Sequence, residues 1–153
     1  MALNFTELNK KFMYAALKQA EIAYNLNEIP VGAAIIRRKK IISLAFNKKE
    51  KLKNVLAHAE IIAINLACKK LHNWRLLNCE IFITLQPCLM CIEAIAQSRI
   101  KKVNFAAART DQNKFQSKIF KQICLKNKIQ VTEGIMAQES NKLLYTFFNK
   151  LRK

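Results

Sequence analysis

The sequence contains few of the residues that interrupt regular structure, with two glycines and two prolines among 153 residues. It has no internal repeat, no low-complexity segment and no linker. Since 52% of the residues are apolar, a chain of this length can bury one sizeable core, but it is too short for two ordinary domains. The sequence therefore predicts a single domain over residues 1–153.

Long apolar runs are also lacking. No stretch approaches the roughly 20 consecutive apolar residues that span a bilayer. Residues 1–5 lack the basic region and the apolar core of a secretory signal. We therefore expect a cytoplasmic protein with no membrane partner.

Acidic residues are scarce: ten face 27 basic ones, which gives a formal net charge of +17. Such a balance favours contact with a polyanion such as nucleic acid. The chain is also rich in lysine, isoleucine and asparagine, as the compositional bias of an AT-rich genome produces without any selection for binding. Composition by itself leaves both explanations open.

Cysteines are present in an odd number, five, which argues against a disulfide framework in a chain of this size. Cys88 and Cys91 have the spacing of a metal-ligand pair. The other three, Cys68, Cys79 and Cys124, look like ordinary buried thiols.

The most specific pattern is the segment His58-Ala59-Glu60, followed about thirty positions later by Pro87-Cys88-Leu89-Met90-Cys91. His58, Cys88 and Cys91 offer the imidazole nitrogen and thiolate sulfurs that zinc prefers, and three protein ligands leave the fourth position of a catalytic site to water. H-x-E followed by P-C-x-x-C is the pattern of the zinc-dependent nucleobase deaminases. The alternative is a structural site in which Cys79 or Cys124 provides a fourth ligand.

Glu60 has a chemical role only if the site is catalytic. Zinc lowers the pKa of bound water to about 7 in the best-studied case. Glu60 would then take a proton from the attacking water, pass it to a ring nitrogen of the base as the amine-bearing carbon is attacked, and protonate the departing amine. The alternative for Glu60 alone is a helix-start residue that the macrodipole favours by about 0.3–1 kcal/mol.

Apolar periodicity and turn residues predict an α/β domain with a mixed sheet of about five strands, with each ligand segment opening a helix. Two ligands need particular positions: His58 must lie at the bend into its helix, and Cys88 is predicted in the first turn of the next helix, with Cys91 one turn on. The predicted helices are 6–26, starting at Thr6, 58–71, 87–97, 115–125 and 139–151. The predicted strands are 31–37 and 41–46, joined by a 38–40 turn, then 80–85, 102–106 and 129–131, with a polar loop at 47–57.

Beyond these motifs, the chain resembles the bacterial tRNA-specific adenosine deaminase family over nearly its whole length. The segments that carry the resemblance are Glu28-Ile29-Pro30-Val31-Gly32-Ala33, Asn47, Ala57-His58-Ala59-Glu60, Thr84-Leu85-Gln86-Pro87-Cys88-Leu89-Met90-Cys91, Ser98-Arg99-Ile100, Thr132-Glu133-Gly134-Ile135 and Phe147-Phe148.

The resemblance implies a three-layer α/β/α cytidine-deaminase-like fold, a homodimer, and conversion of the wobble adenosine to inosine in the anticodon loop of an arginine tRNA. It implies one zinc ion per subunit held by His58, Cys88 and Cys91, and Glu60 as the proton shuttle. It also implies substrate contacts from Asn47, Ile29 and Pro87.

The chain departs from the family pattern at Gln86, where family members usually have glutamate, and in the loops 53–56 and 107–111. Two other functions are open at this point. One is deamination of a free base or nucleoside such as guanine or cytidine, and the other is a non-catalytic, zinc-stabilised RNA-binding module. Trp74, Phe147 and Phe148 could stack on bases, although such aromatics are more often part of a core or of a dimer interface.

Overall fold

A five-stranded mixed sheet in the order β2-β1-β3-β4-β5 forms the centre of the fold. Strand β1 is antiparallel to both β2 and β3, whereas β3, β4 and β5 are parallel. The computed structural model describes residues 4–153. Residues 1–3, which belong to the predicted domain and to the N-terminal segment predicted to lack a secretory signal, lie outside the described residues. The elements are α1 (Glu7–Asn25), β1 (Gly32–Arg37), β2 (Lys40–Phe46), α2 (Lys49–Leu52), α3 (Ala59–Leu71), β3 (Cys79–Leu85), α4 (Leu89–Gln97), β4 (Lys102–Ala107), α5 (Lys114–Lys126), β5 (Gln130–Glu133) and α6 (Ala137–Leu151).

Helices cover both faces of this sheet because successive strand residues point to opposite sides. In β1, Ala34 and Ile36 pack with residues of α1, such as Phe12 and Met13. The alternate residue Ile35 belongs to the larger core that includes the apolar residues of α3 and α4. This arrangement confirms the predicted three-layer α/β/α architecture.

The five predicted helices and the five predicted strands are present in the structure, and several local details differ. The hairpin turn contains two residues, Arg38 and Lys39, both with positive φ, and Lys40 already belongs to β2. Cys88 is the extended residue before α4 and does not lie in its first turn, since it has φ −69° and ψ 173°. Pro87 therefore also precedes the helix.

The predicted loop 47–57 contains the short helix α2, which the sequence pattern does not reveal. The buried carboxylate of Glu28 accepts hydrogen bonds from the backbone N–H of Glu50 at 3.1 Å and of Lys51 at 2.6 Å. These bonds satisfy donors that a helix start leaves without partners. The stabilising group lies 22 residues away in the chain, so no local pattern predicts this turn.

Across residues 4–153, none of the helices has both the length and the hydropathy that crossing a membrane requires.

Candidate active site

Two helix starts bring the zinc-ligand segments together. His58 directly precedes α3 with φ −72° and ψ 150°, and Cys88 precedes α4 in a similar extended conformation. His58 thus lies at the bend that the H-x-E spacing requires, and Glu60 falls in the first turn of α3. Helix α4 follows the carboxyl end of β3, where a parallel sheet forms its binding crevice.

The three ligand atoms form a compact triangle. His58 Nδ1 lies 3.7 Å from Cys88 Sγ and 3.5 Å from Cys91 Sγ, and all three atoms lie within 4.8 Å of one another. Zinc bonds of about 2.3 Å to sulfur and 2.0–2.1 Å to nitrogen at the tetrahedral angle would put nitrogen and sulfur about 3.6 Å apart. The residues therefore fit a zinc ion.

A fourth protein ligand is absent from this cluster. Among the histidine, cysteine and acidic side chains of residues 4–153, only His58, Cys88 and Cys91 come together as a possible metal site. Cys79 and Cys124 are buried elsewhere in the core. This arrangement matches the three-ligand set of catalytic zinc sites and not the four-ligand set of structural ones.

The pKa values of the two thiols shift in opposite directions. The pKa of Cys88 is lowered to about 4, mainly because the Cys91 side chain donates a hydrogen bond to its sulfur. The pKa of Cys91 is raised because Cys88 favours its protonated form and because the thiol is desolvated. One thiolate is thus available even before a metal contributes its charge, and a metal ion would favour the second.

Glu60 is a buried carboxyl at the wall of the cavity, 4% exposed. Burial raises its pKa above the ordinary value for glutamate, with a further contribution from Cys88. Catalytic acid–base groups are often tuned in this direction, because a carboxyl with a raised pKa both accepts and returns a proton near neutrality.

The cavity in front of these residues has a volume of about 520 Å³, which is within the size range of small-molecule pockets. Its walls come from five parts of the chain: the segment 29–31, the region 47–60, Leu85 at the end of β3, the residues 108–111 after β4, and helix α6. Lys49 and Arg109 contribute the positive charges of the lining.

Two of the three predicted substrate contacts line the cavity, and the third does not. Asn47 and Ile29 both line the cavity. The Asn47 side chain donates to the Ile29 carbonyl and accepts from the Lys49 backbone N–H, both at 3.3 Å. One N–H and one acceptor site of the amide therefore stay available for a ligand. Pro87 is buried and does not line the cavity.

The residues after β4, where the sequence departs from the family pattern, form one wall of the cavity. The Arg109 guanidinium donates two hydrogen bonds to the Asp111 carboxylate, at 2.9 and 2.7 Å. This pairing lowers the pKa of Asp111. The Gln86 side chain accepts from the Arg109 backbone N–H at 3.1 Å, which ties this wall to the segment that carries Cys88.

One face of α6 closes the cavity through Asn141, Leu144, Tyr145 and Phe148. Their spacing of three, one and three residues is that of a single helical face. This signal is available in the sequence, and of the four residues only Phe148 is among the predicted base-stacking candidates. Phe147 belongs to the interior, 3% exposed.

Comparison with known proteins matches this site to a described group. The family model for the cytidine and deoxycytidylate deaminase zinc-binding region matches residues 6–107. A tRNA-specific adenosine deaminase from Rickettsia bellii is 42% identical over 144 residues, which cover 92% of this chain and 99% of that protein.

Two solved structures of deaminases are also similar to this chain. A structure from studies of A-to-I editing by tRNA:A34 deaminases has a TM-score of 0.81 and 32% identity, covering 88% of this chain and 99% of that one. Guanine deaminase from Bacillus subtilis has a TM-score of 0.65 and 33% identity, covering 76% of each chain.

Proposed function

Because the chain belongs to the cytidine and deoxycytidylate deaminase family, and within it to the tRNA-specific adenosine deaminases, we propose that it converts adenosine to inosine at the wobble position of a tRNA. The chain is a hydrolytic deaminase, and an arginine tRNA is the proposed substrate. The observation that carries this proposal is the buried Glu60 beside the His58, Cys88 and Cys91 cluster, at the wall of a cavity of about 520 Å³.

His58, Cys88 and Cys91 would hold one zinc ion per subunit. When bound, zinc supplies Lewis-acid activation of water, which makes hydroxide available near neutral pH. The chain's own contribution is to fix the three donors at the starts of α3 and α4 and to place Glu60 in the first turn of α3. The local positive charge of those helix starts also favours thiolates.

Glu60 carries the proton through the reaction. It would accept a proton from the attacking water and give it to N1 of the purine as the water oxygen bonds to C6. It would then take the proton that remains on the oxygen bound to C6 and give it to the amino nitrogen, so that the C6–N6 bond breaks and ammonia leaves. The balance is adenosine plus water giving inosine plus ammonia.

The residues around Glu60 have positioning roles in this proposal. Asn47, with one N–H and one acceptor site still available, would contact the nucleoside beside Ile29, and Pro87 would act through the position of Cys88. An unpaired loop base costs less to flip into such a cavity than a base within a duplex. That difference supports an anticodon loop as the substrate.

A homodimer is the proposed assembly. Leu52, Val55 and Leu56 are 53%, 65% and 53% exposed, and they lie in the segment that leads to His58. Three neighbouring apolar side chains in water favour a protein partner, and a second copy of this chain would cover them. The proposed location is the cytoplasm, where tRNA is processed.

The second candidate is deamination of a free base, favoured by the similarity to guanine deaminase from Bacillus subtilis. The chemistry at Glu60 would be the same, and only the substrate would differ. A non-catalytic RNA-binding module is disfavoured because no fourth ligand joins the cluster within residues 4–153, and a three-ligand site leaves a position for water.

The deciding experiment measures inosine in an arginine-tRNA anticodon stem-loop after incubation with zinc-loaded protein. Glu60→Gln, which keeps the side-chain shape, should lose about 10²- to 10⁴-fold in kcat while still binding one zinc per chain. Parallel reactions with guanine and cytidine test the alternative: ammonia from either one, without inosine in the stem-loop, would refute the tRNA proposal.

A further inference from the structure

The end of the sheet opposite the catalytic cavity carries most of the net charge of the chain. Here Arg37 pairs with Cys79, Glu80 with Lys102, and Lys102 with Gln130, so the amino ends of β3, β4 and β5 lie side by side next to the β1–β2 turn. Four connections meet at this position: 37–40, 69–75, 99–102 and 126–128. We call these four segments, with Glu80, the basic end.

The basic end holds twelve of the 27 lysines and arginines but only one of the ten acidic residues. It therefore carries +11 of the formal +17, whereas the remainder of the chain, with fifteen basic and nine acidic residues, carries +6. Compositional bias alone would scatter lysines over the surface and does not explain why they gather where four separate connections meet.

Almost all of these charged side chains face solvent, and none of them forms an ion pair within residues 4–153. Eleven of the twelve basic side chains are exposed, the exception being Arg37. The three ion pairs in the described part of the chain all involve other residues. Glu80, the one acidic residue present, accepts a hydrogen bond from Asn104. Like charges held together without neutralisation cost stability, so this arrangement favours an external anion.

An exposed aromatic residue lies among these cations. Trp74 is 50% exposed, with the guanidinium of Arg75 4.2 Å and that of Arg99 5.9 Å from its ring centre. The two arginines come from different connections and meet at one indole. Basic surfaces that include an aromatic side chain are typical of proteins that bind unpaired RNA, in which phosphates contact the cations and a base stacks on the ring.

From these observations we infer that the basic end is a second RNA-binding surface, separate from the catalytic cavity. Strands of six or seven residues at about 3.3 Å per residue put roughly 20 Å between the two ends of the sheet. The surface thus binds the phosphate backbone of RNA outside the deaminated loop. The use of tRNA as a probe rests on the proposed function, but the charge argument does not.

The test removes four charges without disturbing the fold. Arg38 and Lys39 have φ values of 51° and 61°, so the substitutions Arg38→Asn and Lys39→Gly suit a two-residue turn of this type. Lys69→Gln and Lys70→Gln change exposed residues in the last turn of α3. We expect the quadruple variant to melt within a few degrees of the wild type.

Binding is measured by fluorescence anisotropy with a labelled full-length arginine tRNA over a salt series. Loss of four phosphate contacts should reduce the slope of log K against log salt by about 3. The matched control Lys11→Gln, Lys114→Gln, Lys118→Gln and Lys121→Gln removes the same charge from exposed positions on α1 and α5, and it should leave the slope nearly unchanged.

Trp74→Ala tests stacking without changing the charge. It should weaken binding to a labelled oligouridylate at least fivefold, since stacking on an aromatic ring is worth about 1–3 kcal/mol per base. In both the quadruple variant and Trp74→Ala, kcat for the anticodon stem-loop at saturation should equal that of the wild type.

Three results would overturn the inference. One is equal salt slopes for the quadruple variant and its control. Another is unchanged RNA binding together with lost binding to phosphatidylserine vesicles, which would make the surface a membrane contact. The third is a loss of kcat on the stem-loop that parallels the loss of tRNA affinity. Absence of inosine in the wild-type reaction would refute the proposed function instead, and the binding comparison would still stand.

Discussion

The side-chain oxygen of Gln86 accepts the backbone N–H of Arg109 at 3.1 Å. Gln86 lies two residues before the proposed zinc ligand Cys88, and Arg109 lies in the part of the cavity wall that follows β4. The side-chain amide nitrogen of Gln86 also donates a hydrogen bond to the Gln112 side chain at 3.4 Å. One side chain therefore couples the metal segment to a substrate-facing wall that lies 23 residues away.

Removing this link should change substrate binding and not metal binding. We expect Gln86→Ala to raise the KM for the stem-loop about 2- to 12-fold, the equivalent of a hydrogen bond worth about 0.5–1.5 kcal/mol, with unchanged zinc content. Gln86→Glu keeps the acceptor for Arg109 and should stay within twofold of the wild type. Steady-state kinetics with metal analysis checks both, and a loss of zinc in Gln86→Ala would contradict a positioning role.

Cys91→Ala should abolish both zinc binding and activity, because two ligands do not make a stable zinc site. Treatment of the wild type with a chelator should lower its melting temperature, since zinc binds the folded chain far better than the unfolded one. Cys124→Ala is the matched control: that thiol is also buried, 7% exposed, but lies outside the cluster. If Cys124→Ala also lost zinc, the effect would come from core packing and not from ligation.

Glu28→Gln should destabilise the protein by about 1–3 kcal/mol. The Glu28 carboxylate accepts from two backbone N–H groups of α2, and its exposure is 1%. An amide offers one oxygen, so one of the two donors would lose its partner. Urea denaturation measures the change. The surface substitution Glu21→Gln, which removes a half-exposed ion pair with Lys18, should cost less than 1 kcal/mol.

Gly32→Ala should also destabilise the fold, because α1 lies directly against β1 at this position. A Cβ on Gly32 would clash with the Ala16 carbonyl oxygen and would lie 2.6 Å from the Ala20 amide nitrogen. Neither backbone atom can move without shifting the helix, so we expect a loss of about 1–3 kcal/mol and a larger one for Gly32→Val. Thermal melts of both variants test this, and an alanine variant as stable as the wild type would show that α1 adjusts freely.

Local patterns in the sequence determined the main elements and singled out the candidate ligand set. Strand alternation, helical periodicity and the H-x-E and P-C-x-x-C spacings depend on conformations that neighbouring residues set for themselves. All five strands were therefore predictable from the sequence. The H-x-E spacing required a bend at His58 if His58 and Glu60 were to face one metal, and the structure has that bend. The predicted start of α4 at Pro87 is two residues too early, because the helix begins at Leu89 and Cys88 is the extended residue before it. Helix ends are the part of an element that sequence patterns fix least closely.

The tertiary structure alone decided which distant segments meet. The β-sheet register brings the residues after β4 next to Gln86, and the packing of α6 brings Tyr145 to the same cavity. The same register gathers four basic connections at the opposite end. Helix α2 forms because Glu28 caps it from 22 residues away. Contacts of this kind depend on burial and pairing across the whole chain, which no short window of sequence contains.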